Sequence, residues 1–273
     1  MKLTLQQVPI FSLVVIRMGV ASLIMLPFIS KDLKIKREDL PTFIWAAATA
    51  ITIHMTLFFI GLKLSEAIYA AVLAASVPVM TLAAASVFLK EKLTPRLILA
   101  TLVAVIGLII TIGKPDGNLN LPTFIGNLLL IGASVFWVVH EIIAKKLLKK
   151  YPAQTITFYT MGFGAISLLP PAIWELFKNP LWVTSLSSQS IGGILFGIIF
   201  ASLIAHFAWQ KGLSLLPAGE ASFFFYIDPI SGAVLAMILL GEKLTLPLII
   251  GGALITSAVF LAENKRKSHP LHR

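Results

Sequence analysis

Two stretches, SVPVMTLAAASVFLKEKLT at 76–94 and YIDPISGAVLAMILLGEKLT at 226–245, each set a proline ahead of a long apolar run and close on Glu-Lys-Leu-Thr. Laid over one another at an offset of 151, residues 61–94 and 212–245 agree at 12 of 34 positions without a gap. The agreements include Gly61/Gly212, Leu62/Leu213, Ala67/Ala218, Pro78/Pro229, Leu89/Leu240 and the whole tetrapeptide. Leu and Ala coincidences alone mean little in so apolar a chain. Proline, glycine and a charged tetrapeptide in one register point to an internal repeat. A second match, at an offset of 143, pairs VPIFSLVVIRMGVASLIMLP (8–27) with YPAQTITFYTMGFGAISLLP (151–170). There Pro9/Pro152, Met18/Met161, Gly19/Gly162, Leu26/Leu169 and Pro27/Pro170 coincide.

The composition says where such a repeat lives. Of 273 residues, 58% are hydrophobic and 12% charged, and the mean hydropathy is +0.92. Soluble domains carry about 25% charge, so this is a membrane protein. A net charge of +10 would suit nucleic acid only as a basic face on a soluble fold. Here the positive charges lie between apolar runs, so no nucleic-acid partner is expected. There is no cysteine, hence no disulfide framework and no thiol chemistry. A helix crossing about 30 Å of hydrocarbon needs about 20 apolar residues. Nine segments meet that need: 9–29, 41–62, 66–89, 95–113, 122–144, 153–177, 189–212, 217–240 and 245–262. The expected fold is all-α and polytopic, with no signal peptide and no inserted soluble domain.

Lys and Arg set the orientation. One set of alternate loops holds sixteen: Lys31, Lys34, Lys36 and Arg37; Lys90, Lys92 and Arg96; Lys145, Lys146, Lys149 and Lys150; Lys211; and Lys265, Arg266, Lys267 and Arg273. The other holds five, Lys2, Lys63, Lys114, Lys178 and Lys243, while Arg17 lies inside a helix. The C-terminus is therefore expected in the cytoplasm, and nine spans put the N-terminus outside. The two Glu-Lys-Leu-Thr copies fall on opposite faces of the membrane, so the repeats are inverted in topology. Each copy reads as a helix end rather than a substrate contact. Its Lys reaches the interface, Thr94 or Thr245 starts the next helix, and Pro95 takes the first helical position in copy one.

The first repeat, 1–115, has four helices and the second, 121–265, has five; 266–273 is a basic tail on the cytoplasmic side. Aligning Pro9 with Pro152 sets Met1 opposite Ala144, where the helix 122–144 ends. The expectation is a ten-helix protein without its first span, through a late start or a truncation; an apolar run encoded upstream tests the former.

The segments GLKLSEAIYAAVLAASVPVMTLAAASVFLKEKLT and GLSLLPAGEASFFFYIDPISGAVLAMILLGEKLT resemble the closing part of the EamA-type repeat of the drug/metabolite transporter superfamily. The resemblance covers nearly the whole chain. It implies ten helices in two inverted five-helix repeats with both termini cytoplasmic. It also implies transport of amino acids, metabolites or drugs, often outward. In the family an acidic residue, usually Glu, precedes the second proline, where this chain has Asp228. Arg17 resembles a recurrent arginine of its helix, and Trp137 matches a tryptophan position.

The candidate site follows from depth, at about 1.5 Å of rise per residue. Asp228, Arg17, His54 and Trp137 all lie centrally in their spans, where ionisable groups are costly and face the bundle interior or a wet cavity. Pro78 and Pro229 break their helices at the same depth and free the carbonyls of Ala74 and Phe225. Asp228 either binds a substrate ammonium, exchanges a proton or sits in a structural pair. Its repeat mate is Val77. Arg17, whose mate is Thr160, either holds a carboxylate bidentately or packs against Asp228 or helix carbonyls. His54 is either a proton relay or a neutral, hydrogen-bonded ring. Tyr226 is a further candidate beside Trp137, and it and Trp209 read more simply as packing. His140 and His206 lie nearer the helix ends, where packing is the plainer reading. Glu66 and Glu220 complement helix N-termini. Glu141 is placed to pair with Lys145 near the interface. His140-Glu141 lacks the second histidine of a zinc motif, since position 144 is Ala, and no phosphate loop is present. No metal, cofactor or direct ATP drive is expected.

The function expected is secondary transport, by alternating access around a midplane cavity, with a small polar or drug-like molecule exported across the cytoplasmic membrane. The partners are that small-molecule substrate and the bilayer, with a homo-oligomer left open. A membrane-embedded enzyme on lipid or peptide, or a passive channel, is the alternative. The enzyme would need Asp228, His54 and a serine within hydrogen-bond reach.

Overall fold

The computed structural model describes residues 2–29, 34–88, 95–112, 120–216, 218–222, 225, 235, 237–241 and 244–263. Among them there is no strand. The helices are α1 (Ile10–Ile29), α2 (Leu40–Ala47), α3 (His54–Leu64), α4 (Ala67–Ala74), α5 (Val77–Phe88), α6 (Pro95–Ile112), α7 (Leu121–Leu147), α8 (Ala153–Ser167), α9 (Leu169–Lys178), α10 (Ser188–Phe196), α11 (Ala205–Leu215), α12 (Ala218–Ser222) and α13 (Leu246–Glu263). Among the described residues, five helical spans are long and apolar enough to cross a membrane, and the pair α8–α9, bent by 45°, makes a sixth. Shorter apolar helices lie within α6 and α13. Eight of the nine expected segments thus coincide with described helices. The ninth, 217–240, lies largely outside the described residues, as do Glu91, Glu242 and their neighbouring lysines.

Helix starts and stops follow local chemistry. The first-turn amides of α1 at Phe11 and Ser12 donate to the Glu175 carboxylate over 3.1 and 2.8 Å. An anion there satisfies orphan N–H groups and complements the helix dipole. Ser187 caps α10 by accepting from the Ser190 amide and itself donates to Gln7 Oε1. The helix after each Glu-Lys-Leu-Thr begins at the next residue, Pro95 in one copy and Leu246 in the other. Pro78 takes the second position of α5, and the break falls just ahead of it, at Ala75–Ser76, where the Ser76 hydroxyl donates to Leu73 O over 2.6 Å.

The loops sort into two ends of the bundle. At one end Lys150 pairs with Asp39 at 2.7 Å, Tyr151 donates to the other Asp39 oxygen, and Lys145 donates to the carbonyls of Leu213 and Leu216. At the opposite end Lys2 donates to Ser65 O, and Gln7 meets Ser187. The Lys150 and Tyr151 hydrogen bonds hold the Asp39 carboxyl below its ordinary range.

Two pairs of repeat-equivalent helices pack antiparallel. A Cβ on Gly19 of α1 would lie 3.8 Å from Ala165 of α8, and one on Gly162 would lie 3.2 Å from the Ser22 hydroxyl. At the offset of 143, Ala165 is the mate of Ser22 and Gly162 the mate of Gly19, so each contact is the other's image. In the second pair, a Cβ on Gly107 of α6 would fall 2.8 Å from Gly251 O and 3.1 Å from Ile255 N of α13. One on Gly251 would fall 3.0 Å from Thr111 N. As one helix advances from 107 to 111, its partner retreats from 255 to 251. Equivalent helices running in opposite directions are what inversion requires, and the absence of side chains at Gly107 and Gly251 lets the backbones touch.

Within two spans the winding changes. Ala48–Ile53, between α2 and α3, and Gly197–Ile204, between α10 and α11, are π-helical. At the repeat offset of 151, residues 48–53 correspond to 199–204, so the two irregularities are themselves repeat mates. Such wide turns are rare and concentrate at functional sites.

Candidate functional site

Trp137, near the middle of α7, is 8% exposed and gathers four rings from three other parts of the chain. His54 lies 5.2 Å away between ring centroids, His206 5.9 Å, Phe225 6.0 Å and Trp209 6.1 Å. His140, one turn along α7, is at 5.5 Å. Trp209 and Phe225 approach each other to 4.6 Å. Val77 and Val138 close the cluster from the side.

The two π-helical turns deliver the histidines. His54 is the first residue after one turn and His206 the second after the other. His54 Nδ1 meets Ala133 O at 2.8 Å, His140 Nδ1 meets Ala46 O at 3.0 Å and His206 Nδ1 meets Ala201 O at 3.2 Å. A carbonyl only accepts, so each Nδ1 is the donor. Gln210, 2% exposed, places Nε2 2.9 Å from His140 Nε2.

Glu141 is fully buried and accepts from Trp137 Nε1 at 2.9 Å and Thr81 Oγ1 at 2.6 Å. The expectation of a pair with Lys145 near the interface is thereby corrected: the carboxyl points into the bundle, and the Lys145 ammonium reaches carbonyls at the end of α11. A buried carboxyl that is hydrogen-bonded on both oxygens and fixes an indole is part of the site's scaffold.

Arg17, 4% exposed, lies with its guanidinium 5.6 Å from the Phe59 ring centroid. Phe59 meets Phe58 edge-on at 5.4 Å, and Phe58 stacks on His54 at 6.0 Å. Arg17 is thereby linked to His54 and the Trp137 cluster through two phenylalanines. Asp228, Tyr226 and Pro229 lie outside the described residues. Val77, the repeat mate of Asp228, packs with Trp137.

His140, His206 and Trp209, whose plainer sequence reading was packing, are brought onto Trp137, and Glu141, Gln210 and Phe225 join them. Their signal was present as spacing: WVVHE at 137–141 and HFAWQ at 206–210 each put polar and aromatic residues at i, i+3 and i+4, one face of a helix. Among the described residues no group of three His, Cys, Asp or Glu is placed to hold a metal ion.

The description "EamA-like transporter family" matches residues 1–113 and 124–263. The "Uncharacterized transporter YyaM" of Bacillus subtilis is 25% identical over 252 residues, covering 90% of this chain and 82% of its own length. An "Uncharacterized transporter" of Clostridium kluyveri is 26% identical over 266 residues, 94% of this chain and 85% of its own. The "Uncharacterized inner membrane transporter YicL" of Salmonella typhimurium is 26% identical over 268 residues, 91% and 83% of the two chains. A solved crystal structure covers 96% of this chain and 90% of its own with a TM-score of 0.68 at 18% identity, a likeness of fold.

Proposed function

The chain belongs to the EamA-like transporter family, and from that premise we propose that it exports a small polar metabolite or drug across the cytoplasmic membrane by alternating access. The observation that carries this reading is the position of the Trp137 cluster. It lies where an α7 face meets two repeat-equivalent spans, each broken by a π-helical turn beside a histidine. Residues 1–115 and 121–265 act as the two bodies, rocking against each other around that cluster. Irregular backbone at membrane depth is stable where it lines a cavity, which suits the paired π turns and the break before Pro78.

In this reading Trp137 and His54 form one wall of the substrate cavity, and Arg17 contributes positive charge behind Phe59. Asp228 and Tyr226 are proposed to bind the same substrate on the strength of the sequence; Phe225, three residues before Asp228 in the chain, touches both Trp137 and Trp209. The two charges of opposite sign suit a substrate with a zwitterion-like polarity, such as an amino acid. The end of the bundle that carries Asp39, Lys145 and Lys150 faces the cytoplasm with the C-terminus, as the sixteen-to-five split of Lys and Arg supports. A carrier rather than an enzyme fits the family. The enzyme reading asked for Asp228, His54 and a serine within hydrogen-bond reach, and the His54 Nδ1, where a triad sets its carboxylate, is held by Ala133 O.

Metabolite profiles of medium from cells with and without the gene test the reading, with Asp228→Asn and Trp137→Ala as companions. Export of a defined set of solutes that falls at least about tenfold in both variants supports it. Profiles that match with and without the gene would overturn it. Orientation is separable: the chain has no cysteine, so a single cysteine at position 273 reports its side by labelling with an impermeant maleimide.

A further inference from the structure

Three buried polar atoms of α11 have no hydrogen-bond partner within the protein: His206 Nε2, Trp209 Nε1 and Gln210 Oε1. Their residues stand at i, i+3 and i+4, so they share one face of the helix. That face is turned to Trp137, which lies within 6.1 Å of both the His206 and Trp209 rings. Buried polar groups are nearly always paired, and an exception asks for an explanation. Three exceptions on one helical face, beside aromatic rings that meet one another edge-on or tilted, form a recognition edge.

The hydrogen-bond chain fixes the character of each atom. His206 donates through Nδ1 to Ala201 O, so its neutral ring presents Nε2 as an acceptor. His140 donates through Nδ1 to Ala46 O, so its Nε2 accepts, and Gln210 must offer its amide nitrogen there. The Gln210 oxygen is what remains. Trp209 Nε1 can only donate. The edge therefore reads acceptor, donor, acceptor along α11, with aromatic faces from Trp137, Trp209 and Phe225 beside it.

We propose that this edge selects a flat heteroaromatic amine. The ring stacks on the Trp209 indole, and Trp137 and Phe225, inclined to that indole by 49° and 57°, flank it. Its N–H groups donate to His206 Nε2 and Gln210 Oε1, and a ring nitrogen or ring carbonyl accepts from Trp209. An aliphatic ammonium brings donors but no ring and no acceptor. A flat carboxylic acid places anionic oxygens against two acceptors. A hydrocarbon ring leaves all three atoms unpaired, which is costly. The proposal rests on the transporter reading and names the substrate class of the same site.

Full-length protein in lipid nanodiscs, followed by intrinsic tryptophan fluorescence, tests it with four probes: adenine, purine, benzoate and putrescine. Adenine should quench saturably. Purine, which lacks the exocyclic amine, should bind about tenfold more weakly for one lost hydrogen bond, and benzoate and putrescine should give no saturable change. Gln210→Leu and His206→Phe should each weaken adenine by about tenfold while leaving the size-exclusion profile intact. Equal binding of adenine and purine, saturable binding of benzoate or putrescine, or adenine binding indifferent to both variants overturns the class. If adenine fails to bind while the gene still changes the export profile, the heteroaromatic class falls and the transporter reading stands. If the gene changes no export profile, the transporter reading itself falls.

Discussion

The Trp137 indole donates to the Glu141 carboxyl over 2.9 Å, one turn further along the same helix, and Thr81 of α5 donates to the other oxygen over 2.6 Å. This clamp fixes the ring on which the whole site converges and ties α7 to α5. Glu141→Leu removes the acceptor and strands two buried donors, each at a cost of about 1–3 kcal/mol. Glu141→Gln keeps an acceptor oxygen for the indole and should stay within about 1 kcal/mol of the parent. The thermal midpoint in detergent, read together with the near-UV circular dichroism of tryptophan, separates the two. Equal midpoints for the Leu and Gln variants would show that the clamp carries no stability.

Asp39, Lys150 and Tyr151 tie the start of α2 to the turn before α8. The Lys150 hydrogen bond, then that of Tyr151, lowers the Asp39 pKa, and the Asp39 hydrogen bond raises that of Lys150. A carboxyl depressed in the folded state stabilises it above its unfolded value of about 3.9, and that contribution is lost as pH falls through the folded value. A raised ammonium contributes below about 10.4 and is lost as pH rises through its folded value. Asp39→Asn should therefore lower the thermal midpoint at neutral pH, and the difference should shrink toward zero below about pH 4. A difference that is constant from acid to neutral pH would remove the ionised carboxyl as its cause.

How much of this was legible in the sequence depended on whether the signal was periodic. The spans were, because twenty apolar residues in a row have one cheap home, and eight segments coincide with described helices. The inverted relation was also legible, since Gly19, Gly162 and their neighbours kept their register. The π turns were not. ATAITI and GIIFASLI carry no proline or glycine pair that would distinguish them from ordinary helix, and the extra residue shows only in where side chains land. The inward turn of Glu141 was missed for a related reason. Its i+4 lysine offered a surface pair, whereas the deciding partners, Trp137 at i−4 and Thr81 sixty residues away, required knowing which face of α7 is buried.

The crossing of α6 and α13 leaves no room at its centre. A Cβ on Gly107 or Gly251 would lie 2.8 or 2.7 Å from a backbone carbonyl of the other helix, and backbone cannot rotate aside as a side chain can. Gly107→Val and Gly251→Val should each force the helices apart and cost at least about 3 kcal/mol, the upper range for overpacking. Gly192→Val is the control, since nothing lies within 4 Å of its Cβ position. Thermal midpoints of the three variants check this, and parity between Gly251→Val and Gly192→Val would contradict the close approach.

The paired π turns can be tested for motion separately from folding. An i→i+5 turn holds one residue more than an i→i+4 turn. Deleting Thr52 lets the turn close as ordinary α-helix while α2 and α3 keep their facing sides, so His54 stays on Ala133 and Phe43 stays in its core. Deleting Phe58, in regular helix, instead rotates all that follows by about 100° and should disrupt packing throughout α3. The expected result is that the Thr52 deletion keeps the parent's size-exclusion profile and thermal midpoint to within a few degrees, whereas the Phe58 deletion does not. The chain has no cysteine, so Val77→Cys, placed in the Trp137 cluster, reports access to the site. In the parent, an impermeant maleimide should reach it from both sides of the membrane as the protein cycles. In the Thr52 deletion, labelling should be confined to one side, because the wide turn that lets the span bend is gone. Two-sided labelling at the parent's rate in that deletion would show that the π turn shapes the site without acting as its hinge.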